Sequence, residues 1–127
     1  MHYSKFIVAG VAGLLVAVST AKLLAAQAFF TCTPSTVAAT NDPSPNQRVT
    51  VVCTSAVVDG TDSIIYFAVP AADTAYANRF LTLATTALTA GRTLSIGYDF
   101  GKSTDLNNVA FGCASSNCRY ARQINLQ

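Results

Sequence analysis

The side chains that carry most enzyme chemistry are scarce in this sequence. Its one histidine is His2, its six acids are all aspartates (Asp42, Asp59, Asp62, Asp73, Asp99 and Asp105), and it has neither glutamate nor tryptophan. A Ser-His-Asp or Cys-His relay needs an imidazole beside the nucleophile. His2 lies in a segment expected to be removed, so proton transfer would fall to aspartate, tyrosine or Lys102 alone. An aspartate pair can cleave glycosides, but the spacing of Asp99 and Asp105 does not single one out. Gly91, Gly97 and Gly101 are spaced for turns and close strand contacts rather than as a phosphate-binding loop. The expectation is a protein that is not an enzyme and takes no cofactor.

Hydrogen-bonding groups are densest between Asp99 and Asn108, where Asp99, Lys102, Ser103, Thr104, Asp105, Asn107 and Asn108 follow Tyr98. Tyr98, Asp99, Lys102, Asp105, Asn107 and Asn108 are the candidate ligand-binding residues, and a sugar is the ligand they suit. Calcium is the weaker reading, because the ligand order of an EF-hand is missing. The plainer account is an ordinary solvated loop, which has the same composition. Arg119 and Arg122 could meet an anionic ligand or pair with acids.

Four cysteines, Cys32, Cys53, Cys113 and Cys118, complete the reactive inventory. In an exported chain an even count reads as disulfides. Three connectivities are open. Geometry favours Cys32–Cys53, which flank a turn near Asp42-Pro43, with Cys113–Cys118, which bracket a short polar loop. Loop entropy assigns about 3 kcal/mol to the first and about 2 kcal/mol to the second. A zinc site is disfavoured: beyond His2 there is no imidazole, and only one cysteine pair is close. No metal site is expected.

The export reading comes from residues 1–28. A short basic start, Met1 to Lys5, precedes the uncharged run Phe6 to Val18 and small residues ending in Ala26-Gln27-Ala28. Those are the three parts of a secretory signal. The uncharged run is too short for a bilayer, which takes roughly 20 residues. An uncleaved segment continuing past Lys22 would be the one route to a membrane. Cleavage after Ala28 is preferred, and Ser19-Thr20-Ala21 offers an earlier cut. Residues 29–127 then form a single domain, secreted or periplasmic. Without Lys5 and Lys22 its charges balance, so it lacks the field that draws proteins onto nucleic acid.

The elements that must position these groups are mostly strands. Phe29 to Thr40 reads as one strand, or as two short ones broken at Pro34. A turn follows at Asn41 to Asn46. Arg48 to Val58 is the second strand, with Val49, Val51 and Cys53 on one face and Arg48, Thr50, Val52 and Thr54 on the other. Asp59-Gly60 marks a reversal. Ser63 to Val69 is apolar on both faces, as in a central strand, or one whose outer positions Ile64 and Tyr66 meet a partner. Tyr76, Phe80, Leu83, Ala84, Ala87 and Leu88 form one helical stripe over about 73–90, capped by Asp73 and Gly91. Arg92 to Phe100 alternates, with Leu94, Ile96, Tyr98 and Phe100 facing inward. The last strand is Arg119 to Leu126, where Arg122 is a misfit on the face of Tyr120, Ile124 and Leu126. This order, β-β-β-α-β-β, is that of a disulfide-stabilised, five-stranded OB-like antiparallel barrel.

Four stretches resemble a family of small exported bacterial proteins of undefined role: Phe29-Phe30-Thr31-Cys32-Thr33-Pro34, Ala77 to Leu83, Gly97-Tyr98-Asp99, and Gly112-Cys113 with Asn117-Cys118-Arg119. More distantly, the arrangement is similar to the B subunits of AB5 toxins of the subtilase-cytotoxin type. That resemblance implies an OB fold, homo-oligomers and glycan binding, but carries over no ligand-binding residue. The expected function is thus a non-enzymatic binding module for a glycan or an envelope protein. The alternatives are a structural or accessory envelope protein and a secreted enzyme inhibitor.

Overall fold

The computed structural model describes residues 27–101, 111–114 and 116–127. They form seven strands and one helix: β1 (Gln27–Cys32), β2 (Pro34–Thr40), β3 (Arg48–Asp59), β4 (Asp62–Pro70), α1 (Thr74–Ala90), β5 (Leu94–Asp99), β6 (Cys118–Tyr120) and β7 (Gln123–Leu126). Among the described residues, no helix is long and apolar enough to cross a membrane.

The strands make two open sheets, ordered β1-β5-β7 and β2-β3-β4-β6, and do not close into a five-stranded barrel. Two chain breaks account for the difference. The first is at Thr33, where Pro34 begins a new strand in the other sheet. The second is at Ala121-Arg122. Ala121 donates its N–H to Ala68 in one sheet and Arg122 donates to Gly97 in the other, at 2.9 and 2.8 Å. The expected last strand is thereby split. Its first part, β6, runs parallel to β4; its second part, β7, runs antiparallel to β5. Tyr120 therefore does not share a face with Ile124 and Leu126.

The inner faces of the sheets meet at Phe67, whose ring lies 5.9 Å from that of Phe30 and 5.4 Å from that of Tyr98. Val49, Val51, Val69, Leu94, Ile96 and Ile124 complete this core. Helix α1 covers the rest of it with Ala77, Phe80, Ala84 and Ala87. The small residues let the helix approach, and Phe80 fills the gap. Leu88, at the end of the expected stripe, is left exposed. The caps are those expected: the Asp73 carboxylate accepts from the Tyr76 N–H, and Gly91 ends the helix in the left-handed region at φ 64°. Phe100 lies beyond β5 and is half exposed, not inward-facing.

Both disulfides form as geometry favoured, Cys32–Cys53 and Cys113–Cys118. The first does a different job from the one expected. Pro34, not Cys32, lies opposite Cys53 in the β2–β3 hairpin. Cys32 ends β1 in the other sheet, so the bridge joins the two sheets where the chain passes between them. Two disulfides mark a protein of an oxidising compartment, outside the reducing cytosol.

Most of the expected signal, residues 1–26, lies outside the described residues. Its last two residues do not. Gln27 and Ala28 are strand residues opposite Asp99 and Tyr98, and Ala28 packs against the core.

Candidate functional site

Helix α1 covers the inner face of β2-β3-β4, and the outer face is only partly roofed. Over β4 and β6 lies the Cys113–Cys118 loop. Phe111, Cys113 and Cys118 pack on Ala68 with Tyr120, whose ring meets Phe111 edge-on at 5.9 Å. Backbone bonds hold the loop down: the N–H groups of Ile65 and Tyr66 both donate to the Asn117 carbonyl at 3.1 Å. The loop stops short of β2 and β3. Between its edge and those strands runs a groove of about 300 Å³.

Cross-strand register supplies the floor. Ala38 pairs with Thr50, and Thr36 with Val52, which pairs in turn with Tyr66. Gly112, Ala114, Asn117 and Cys118 form the loop-side wall, and Thr40 and Arg48 flank one end. Tyr66 is 37% exposed, a ring available for stacking.

Arg48 reaches across to the loop, its Nη1 donating to the Asn46 carbonyl at 2.9 Å and the Phe111 carbonyl at 3.5 Å. Asp42 stands 3.6 Å from the same nitrogen. Nε and Nη2 make no hydrogen bond among the described residues. Gly112 permits this reach: it has φ 80°, and a Cβ there would sit 2.7 Å from Arg48 Nη1. Thr50 lies in the floor, but its hydroxyl is enclosed and, among the described residues, has no hydrogen-bond partner. A buried hydroxyl without a partner costs roughly 1–3 kcal/mol.

Of the residues expected to bind ligand, the structure describes Tyr98 and Asp99, and neither lines the groove. Tyr98 is buried against Phe67, and burial, with the nearby Asp59 carboxylate, raises its phenol above the usual range. Asp99 is held by Arg122, whose Nε and Nη2 lie 2.9 and 2.8 Å from the same carboxylate oxygen. Arg122 also sits 5.2 Å from the centre of the Tyr120 ring. Partnering by Asp99 and stacking on Tyr120 explain why an arginine is tolerated at that position. Lys102, Asp105, Asn107 and Asn108 lie outside the described residues. Ile64, read as an outer position, is fully buried in the main core.

A second polar cluster is the least expected feature. Arg119 is 1% exposed and joins two acids, with Nε 2.8 Å from Asp59 and Nη2 2.9 Å from Asp62. Its Nη1 donates to the Cys118 carbonyl at 2.9 Å, and the Gly101 N–H donates to Asp59 at 2.8 Å. The reversal at Gly60 sets the two acids opposite one another as the closing pair of the β3–β4 hairpin. The cluster ties that hairpin to β6 and to the end of β5. It is enclosed and satisfied, so its role is structural. Among the described residues no three histidine, cysteine or acidic side chains converge where a metal ion could sit.

The sequence did separate Arg48, Thr50 and Val52 from the core face of β3. What it did not reveal is that a loop some sixty residues later roofs part of that face. Compared with family models, with curated proteins and with solved structures, the chain has no match.

Proposed function

We propose that this is a secreted or periplasmic, non-enzymatic binding module whose groove between β2–β3 and the Cys113–Cys118 loop holds a glycan. The observation that carries this reading is the exposed Tyr66 ring in the groove. Beside it lie a hydroxyl at Thr40, an amide at Asn117 and the Arg48 guanidinium, whose Nε and Nη2 make no hydrogen bond among the described residues. Sugars offer hydroxyls that donate and accept, together with an apolar CH face that packs on a ring. The groove's volume falls at the small end of ligand sites, roughly 300–1,000 Å³. The likeness to toxin B subunits drew on a barrel's element order, so two open sheets leave the groove as the ground for this reading.

Export is part of the proposal, and β1 refines it. A cut after Ala28 would remove two residues paired with β5, whereas the cut after Ala21 leaves the strand whole.

A glycan array probed with the labelled, disulfide-bonded protein tests the reading. Binding is expected to fall about tenfold or more in Arg48→Ala and Tyr66→Ala. Thr50→Val keeps the side chain's shape and removes the enclosed orphan hydroxyl, so its stability should hold or rise by about 1 kcal/mol. Silence of the wild-type protein on every glycan, or undiminished binding by Arg48→Ala and Tyr66→Ala, would falsify the groove assignment.

A further inference from the structure

On the opposite side of the molecule, the outer face of β1-β5-β7 presents an exposed aromatic ring on a glycine. Phe29, Gly97 and Gln123 lie in one row across the three strands, and Thr31, Ser95 and Asn125 in the next. Phe29 is 57% exposed, yet Gly97 beneath it is buried. The backbone does not require glycine there, since Gly97 is not among the residues with positive φ. Its neighbours do. A Cβ at Gly97 would lie 2.7 Å from Gln27 Nε2, 3.0 Å from Phe29 Cε1 and 3.2 Å from Gln123 Cβ. The missing side chain lets the ring and the Gln27 amide settle onto the sheet. The ring's Cε1 thus lies close over Gly97, while more than half of the residue faces solvent.

The surroundings define what could rest on that ring. Gln27, Gln123 and Asn125 carry amides, and Thr31 and Ser95 carry hydroxyls, so the fringe both donates and accepts. Among the described residues, the one charge bordering these rows, Asp99 opposite Gln27, is already taken by Arg122. A charged ligand would meet no free counter-charge among them. The face is also small. Two strands of six residues and one of four cover roughly 10 by 20 Å, whereas a stable protein interface buries roughly 800 Å² per partner. A second copy would find too little area on this face alone.

We propose that this face is a separate stacking platform for a neutral saccharide chain, with Phe29 as the anchor and the Gln27 and Gln123 amides as hydrogen-bonding partners. The CH face of a sugar ring covers Phe29, and its hydroxyls meet the amides alongside. The platform does not depend on the groove, because the two sites lie on the outer faces of different sheets.

Native gel electrophoresis of the full disulfide-bonded protein through soluble dextran and soluble β-glucan tests the platform. Retardation by one of these polymers is expected. The apparent affinity should drop about tenfold in Phe29→Ala, survive in Phe29→Trp, drop in Gly97→Ala and be unchanged in Arg48→Ala. No retardation by either polymer overturns the proposal. So does retardation lost in Arg48→Ala but kept in Phe29→Ala, which would assign the binding to the groove instead. A dimer in light scattering that Phe29→Ala splits into monomers also overturns it, because the face would then be covered by a second copy.

Discussion

Replacing Arg119 by methionine should be among the most damaging single changes to stability. The guanidinium is 1% exposed and sits between Asp59, whose side chain is fully enclosed, and Asp62, 9% exposed. Arg119→Met keeps much of the aliphatic volume and removes the cation that bonds both carboxylates. They are then buried opposite one another at the end of the β3–β4 hairpin. Breaking a buried pair by removing one partner costs about 3–5 kcal/mol, because the charge left behind has no compensation. A domain of this size has roughly 5–15 kcal/mol in total. The melting temperature should fall on the order of 20 °C, and the protein should approach unfolding at growth temperature.

Urea denaturation followed by circular dichroism at pH 7 measures the loss directly. One control separates charge from packing. Adding Asp59→Asn and Asp62→Asn to Arg119→Met removes the stranded charges and should recover part of the loss. If Arg119→Met lies within about 1 kcal/mol of wild type at neutral pH, the three groups are solvated and the reading of the cluster is wrong.

Other predictions follow from the same contacts. Burial, reinforced by the Tyr120 and Asp73 charges, pushes the Tyr76 phenol up to about 12, and its hydroxyl donates to the Ala121 carbonyl at 2.8 Å. The unfolded phenol ionises near 10, so this contribution is intact below pH 10 and is lost as the pH rises from 10 towards 12. Tyr76→Phe should cost about 1 kcal/mol at pH 7 and flatten the alkaline decline seen in urea melts. Removing Cys113 and Cys118 together should cost about 2 kcal/mol and weaken glycan binding, because their loop walls the groove. Removing Cys32 and Cys53 should cost about 3 kcal/mol with a smaller effect on binding. Melts paired with binding curves separate the two cases, and equal binding losses would count against the loop's role. Under the proposed export, intact-mass analysis should find an amino terminus at or before Gln27; a chain beginning at Phe29 would contradict the strand assignment of Gln27 and Ala28.

Local patterns in the sequence carried much of the fold. The helix was legible from its stripe and from Asp73 and Gly91, since caps and periodicity act within a few residues. The β3 strand was legible from alternation, β4 from its apolar run, and the turn between them from Asp59-Gly60. The hidden part was where the chain changes sheets. At Thr33 the proline announced a break but not its destination. At Ala121-Arg122 nothing local distinguished a continuous strand from two, because the choice depends on carbonyls of Ala68 and Gly97 far away in the chain. The same non-locality hid the groove. Polar density pointed to the segment from Tyr98 to Asn108, of which Tyr98 faces the core, Asp99 is engaged by Arg122 and 102–108 lie outside the described residues. The groove instead joins an unroofed sheet face to a distant disulfide loop. Arg119 sat in a short strand near two acids whose pairing required the hairpin to be closed first.

Amide chemical-shift mapping by NMR, titrating the disulfide-bonded protein with the strongest array ligand, tests the groove most directly. Shifts concentrated at Thr50, Tyr66, Gly112 and Asn117 are expected, with helix α1 unmoved. Shifts confined to the helix, or spread evenly at saturating ligand, would contradict binding in the groove.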